Sequence, residues 1–73
     1  METPTAEQIA QHYSAALDSV TLITELMALS SRNTEQTDTV ARNVEHLELM
    51  VAKDYWTTED LAPLNSAIAA GKA

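Results

Sequence analysis

The sequence predicts an all-α protein, built as a long antiparallel helical hairpin with a short third helix. Alanine, leucine and glutamate are frequent, and the 73 residues include one glycine and no phenylalanine. The only two prolines, Pro4 and Pro63, stand near the ends of predicted segments. No long stretch alternates β-branched and polar residues, as a half-buried strand would require.

The first predicted helix covers about residues 4–29. Its apolar residues recur at alternating spacings of four and three, which gives one continuous helical stripe. The stripe consists of Ile9, Tyr13, Ala16, Val20, Ile23 and Met27. Two starts remain open: Thr3 caps a helix that has Pro4 in its first position, or Thr5 caps it with Gln8 three residues later.

The second predicted helix covers about residues 34–55. The polar segment "SSRNTEQ" (30–36) interrupts the first stripe, and either Asn33 with Gln36 or Thr34 alone is a suitable N-cap. A new stripe follows at spacings of four, three and four, formed by Val40, Val44, Leu47 and Val51. Two helices joined by a short polar loop indicate an antiparallel hairpin.

The segment "WTTEDL" (56–61) has the chemistry of a helix stop followed by a restart. Thr57 is a suitable N-cap, and Asp60 stands three residues later, in the capping-box position. Trp56 and Leu61 then occupy the two positions of a hydrophobic staple.

The third predicted helix covers about residues 58–70 and ends at Gly71. Pro63 lies too deep for a helix that starts at Thr58, since its ring removes an intrahelical hydrogen bond. Either a short turn precedes this helix or the helix begins nearer Asp60.

The chain length predicts a single domain, residues 1–73, near the lower limit of what folds alone. Because the sequence has no cysteine, a disulfide or a thiolate metal site cannot stabilise it. Self-association is the remaining common route to stability for so small a chain.

Leu22, Leu26 and Leu29 lie almost opposite the main stripe of the first helix, near the connecting loop. A third helix of about ten residues spans only ~15 Å and is not expected to reach them. We predict that a second copy covers these leucines, most simply as a twofold dimer that completes a helical bundle. Alternatively, the first helix is shorter and its last turn bends into the monomer core.

Leu49 and Trp56 also lie opposite the valine stripe, where the third helix is expected to fold over them. Tyr55 and Trp56 stand beside the acidic residue Asp54, and if exposed they would form a secondary protein-binding contact. The favoured interpretation is that Tyr55 and Trp56 pack under the third helix.

The charge balance is strongly acidic, with eleven Asp and Glu against four Lys and Arg and a net charge of −7. Direct nucleic-acid binding requires a basic face, so it is not expected. The most apolar run, 20–29, is too short to span a bilayer, and the N-terminus lacks the features of a secretory signal. We expect no membrane association and a location in the cytoplasm or in a particle assembled there.

No residue pattern predicts catalysis, a cofactor or a metal site. Glu45 and His46 are adjacent and point about 100° apart, and His46 is expected to face solvent, away from the valine stripe. Glu45 and Glu48 are expected to be solvated, and no serine has a histidine at a suggestive spacing. The protein is therefore predicted not to be an enzyme.

Residues 43–72, "NVEHLELMVAKDYWTTEDLAPLNSAIAAGK", resemble short uncharacterised helical proteins encoded by tailed bacteriophages and prophages. The resemblance implies a small accessory protein of virion assembly or of host interference, located in the host bacterial cytoplasm or in the virion. It carries no catalytic residues to transfer.

The sequence therefore predicts a non-enzymatic protein that acts through protein–protein interaction, as an oligomeric accessory, assembly or adaptor protein. The alternative is an inhibitor whose acidic helical surface binds a basic surface of a host protein. The N-terminal part of the chain favours that alternative, because no positive residue precedes Arg32 and the acidic residues there are Glu2, Glu7, Asp18 and Glu25.

Overall fold

The fold is all-α, as predicted. The computed structural model describes residues 4–56 and 59–73, and within them it contains three helices and no strand. These helices are α1 (Ala6–Met27), α2 (Thr34–Val51) and α3 (Ala62–Lys72). Each helix packs against the other two, so α3 lies along the hairpin formed by α1 and α2.

Helix α1 is two residues shorter at each end than predicted. Thr5 is its N-cap: the Thr5 hydroxyl accepts from the Gln8 amide (3.1 Å), and the Gln8 side chain accepts from the Thr5 amide (2.9 Å). At the other end, the Arg32 guanidinium donates to the carbonyls of Leu26 and Leu29, at 3.1 and 3.3 Å. The Leu26 carbonyl also accepts from the Leu29 amide at 3.2 Å, so backbone and side-chain donors together satisfy the end of the helix.

Helix α2 starts as predicted and ends four residues early. Asn33 and Gln36 form a reciprocal capping box, with bonds of 2.7 and 3.0 Å. After Val51 the chain turns back, and the indole nitrogen of Trp56 donates to the Met50 carbonyl at 2.7 Å. This bond replaces the helical continuation to residue 55.

Helix α3 begins at Ala62 rather than at residue 58. Pro63 is in its first turn, where the missing amide hydrogen costs no intrahelical bond. The Asp60 carboxylate accepts from the Ala62 amide at 3.0 Å and so supports the helix start. The predicted cap Thr57 and the predicted first residue Thr58 lie outside the described residues.

Gly71 lies within α3 and does not end it, contrary to the prediction. A Cβ atom at this position would collide with Cγ2 of Val44 and would contact Val40 and Ile23 at 3.4 and 3.5 Å. Glycine therefore permits a close approach of α3 to both other helices. Because Val40 and Ile23 lie near the connecting loop, α3 also extends further along the hairpin than the sequence indicated.

The core lies where the three helices meet. Its centre is formed by one fully buried large side chain from each helix: Ile23, Leu47 and Leu64. The other buried apolar residues are Ala16, Val40, Val44, Met50 and Ala67. Within the described residues, no helix has both the length and the hydrophobicity that crossing a membrane requires.

Candidate functional site

The leucine face, defined as Leu22, Leu26 and Leu29, is only partly covered by the rest of the molecule. Leu22 and Leu29 remain 43% and 42% exposed, whereas Leu26 is half-buried and packs against the core. The predicted set therefore divides into two exposed leucines and one that belongs to both the core and the surface.

Two other leucines are exposed elsewhere on the surface. Leu49 is 66% exposed, so the expectation that α3 covers it is wrong. Leu17 is 37% exposed and faces another side of α1 from Leu22. Both stand apart from the leucine face, which makes them suitable controls for it.

Exposed carboxylates lie beside the leucine face. Asp18 is four residues before Leu22, so the two share one side of α1, and Glu25 lies in the last turn of α1, four residues before Leu29. Glu7 lies eleven residues before Asp18 and therefore falls on the same line along α1. Helix α1 contains no lysine or arginine.

The four cations of the chain neutralise little of the negative charge of these carboxylates. Arg32 is bonded to the carbonyls at the end of α1, and Arg42 pairs with Asp38 at 2.7 Å. The ammonium of Lys72 lies 2.5 Å from the Glu48 carboxylate, on the α3 side of the molecule. The fourth cation, Lys53, follows α2 at the end of the hairpin opposite the leucine face.

Tyr55 and Trp56, the predicted secondary contact, are half-buried in an aromatic cluster. The Trp56 ring packs edge-on against Tyr55 and Tyr13, with centroid distances of 4.7 and 6.0 Å. The Tyr55 hydroxyl is 2.9 Å from Nδ1 of His12, and the Tyr13 hydroxyl donates to the Asp60 carbonyl at 2.6 Å. Because these polar groups bond within the protein, the cluster mainly attaches Tyr55, Trp56 and Asp60 to α1.

His46 does not point into solvent, contrary to the prediction. It is half-buried, and its Nδ1 atom lies 2.8 Å from the Ser19 hydroxyl across the seam between α1 and α2. A serine hydroxyl beside an imidazole is the pairing that a nucleophilic enzyme uses. Here Ser19 is only 5% exposed, so a substrate cannot approach its oxygen, and the pair serves to join the two helices.

The residues considered for a metal site are not brought together. Glu48 forms an ion pair with Lys72, Glu45 is exposed, and the ring of His46 bonds to Ser19. Among residues 4–56 and 59–73, no group of three or more potential ligands is close enough to hold a metal ion.

A small open cavity lies near the loop that connects α1 and α2. Its volume is about 230 Å³. That volume is below the ~300–1,000 Å³ typical of ligand pockets. The lining residues are Met27, Arg32, Thr37, Val40, Ala41, Gly71 and Ala73. Arg32 is the only charged side chain among them, and it already bonds two carbonyls.

Comparison with known proteins gives no match: no family model, no curated protein and no solved structure is significantly similar to this chain.

Proposed function

We propose that this protein is non-enzymatic and acts by binding other protein chains through the leucine face. The observation that supports this proposal is the exposure of Leu22, near the end of α1, and of Leu29, two residues after that helix ends. Removing apolar surface from water is favourable by roughly 25 cal/mol per Å², so a partner that covers both leucines gains affinity from them.

One candidate occupant of the leucine face is a second copy of the chain, which would give a twofold dimer and a larger helical bundle. In this form the protein is an oligomeric accessory, assembly or adaptor component. The resemblance of residues 43–72 to phage-encoded helical proteins supports a role in the virion or in the cytoplasm of a bacterial host.

A second candidate function is inhibition of a host protein, in which the acidic surface of this chain binds a basic surface of the host protein. The line formed by Glu7, Asp18 and Glu25 supports it, since these carboxylates stand on one side of a helix without lysine or arginine. Such a complex would weaken as ionic strength rises, whereas an apolar contact would change little.

The test is the solution mass, measured by light scattering over a range of protein and salt concentrations. One variant carries Leu22→Ser and Leu29→Ser, and the matched control carries Leu17→Ser and Leu49→Ser. If the leucine face joins two copies, only the first variant lowers the mass. A wild-type protein that is monomeric under all conditions contradicts self-association, and an oligomer that survives both substitutions places the contact elsewhere.

A further inference from the structure

We infer that the preferred occupant of the leucine face is a basic amphipathic helix of another protein, rather than a second copy of this chain. This inference rests on the proposed function, because it requires the leucine face to be a protein-binding surface. It adds the chemistry of the partner: apolar residues on one side and lysine or arginine on the flanks.

The apolar centre of the face covers the end of α1 and the turn that follows it. Leu22 lies in the last two turns of α1, and Leu29 lies two residues after the helix ends. A partner helix contacts such a surface through apolar residues at positions i, i+3 or i+4, and i+7. Leu26 lies between the two exposed leucines and is anchored in the core, so the centre of the surface is rigid.

The seam beside the leucines runs along both helices of the hairpin. Ser19 meets His46 across it, and Leu22 and Leu26 follow Ser19 at spacings of three and four toward the loop. Asn43 and Thr39 follow His46 on α2 at the same spacings and are half-buried. This leaves a surface with leucines on one side and polar residues on the other.

The polar side of the seam does not need a polar partner. The Asn43 side chain donates to the Thr39 carbonyl at 2.8 Å, and the Thr39 hydroxyl donates to the Glu35 carbonyl at 3.0 Å. Since both groups are bonded to their own helix, an apolar partner surface can lie over them at a small desolvation cost.

The charges around the leucines decide between the two occupants. Asp18 and Glu25 are exposed beside Leu22 and Leu29. The two nearby cations are both engaged within the chain, because Arg32 bonds the carbonyls of Leu26 and Leu29 and Arg42 pairs with Asp38. A twofold dimer places the same surface against itself, so it brings like carboxylates together. A helix flanked by lysines meets them with opposite charge instead.

The experiment uses a fluorescein-labelled synthetic peptide of about 18 residues, ~27 Å long as a helix, with a leucine stripe at helical spacing and lysines on its flanks. A peptide of the same composition in scrambled order tests general electrostatic attraction. Binding to the full chain is measured by fluorescence anisotropy, with the leucine variants described above and with the double variant Asp18→Asn, Glu25→Gln.

We expect the striped peptide to bind, and we expect Leu22→Ser with Leu29→Ser to weaken it at least about tenfold. Leu17→Ser with Leu49→Ser should change the affinity less than about twofold, because these leucines lie outside the face. The Asp18→Asn, Glu25→Gln variant should bind more weakly, and so should wild type when salt rises from about 0.05 to about 0.5 M.

Equal binding of the scrambled peptide, or equal binding to the leucine variant and wild type, would overturn the inference. A wild-type dimer that dissociates on Leu22→Ser with Leu29→Ser and excludes the peptide would also overturn it, while supporting the proposed function. If these substitutions change neither the solution mass nor peptide binding, the leucine face is not an interface and both proposals fail.

Discussion

The hydroxyl of Ser19 and the Nδ1 atom of His46 lie 2.8 Å apart across the seam between α1 and α2. Their positions in the chain are 27 residues apart, so the bond fixes the alignment of one helix against the other. Ser19 is buried among apolar residues, where an unpaired polar group is costly. The pair therefore gives the hairpin a specific register as well as stability.

Replacing Ser19 with alanine should destabilise the protein by about 1–2 kcal/mol, because the imidazole of His46 loses its partner in a half-buried position. The free energy of unfolding can be measured by urea denaturation, with circular dichroism as the signal. A double-mutant cycle with His46→Leu isolates the pair. A coupling energy near zero would show that the hydrogen bond contributes nothing.

Replacing Gly71 with alanine should destabilise the protein by about 1–3 kcal/mol, although alanine is the better helix former. The added methyl group would collide with the Val44 side chain, which is buried and stiff. Thermal unfolding measures the change. In a Val44→Ala background the same substitution should cost less, and an equal cost in both backgrounds would rule out this contact as the cause.

Replacing Trp56 with alanine should destabilise the protein by about 2–4 kcal/mol, since the ring packs on Tyr13 and Tyr55 at the edge of the core. Trp56→Phe keeps most of that packing and removes the hydrogen bond to the Met50 carbonyl, so it should cost about 1 kcal/mol. Chemical denaturation of both variants gives the comparison. A near-neutral Trp56→Ala would mean that the ring does not support the fold.

Replacing Leu26 with glutamate should lower the melting temperature, whether or not the protein self-associates. Leu26 packs against the core, so the charge would be placed partly inside the monomer. Scanning calorimetry at several protein concentrations separates the two effects, since loss of a dimer contact makes the melting temperature concentration-dependent only in wild type. An unchanged melting temperature would contradict the observed packing of Leu26.

Helix periodicity was sufficient to predict the three helices, and capping chemistry offered Thr5 and Asn33 each as one of two alternative caps. The ends of α1 and α2 could not be predicted, because hydrogen bonds from Arg32 and Trp56 to backbone carbonyls replace the last helical turns. The prediction that Gly71 ends α3 was wrong. A glycine near the end of a helical pattern indicates either a helix end or a close helix contact, and only the packing distinguishes the two.

The helical pattern of the sequence predicted the surroundings of the candidate site only in part. The stripe of α1 correctly placed Leu22 and Leu29 away from the core centre, and Leu26 was misjudged because it lies at the edge of both surfaces. His46 was expected in solvent because its angle was measured from the valine stripe alone. In the structure α1 packs on that flank of α2, where the small Ser19 leaves room for the imidazole ring.

The aromatic cluster has a consequence for the order in which the chain folds. It joins Tyr13 to Asp60 and His12 to Tyr55, which are 47 and 43 residues apart. On a ribosome, the first half of α1 would therefore emerge long before its partners are synthesised. The hairpin between α1 and α2 can form earlier, because its contacts join residues that are nearer in sequence. Formation of the aromatic cluster would be a late event in folding.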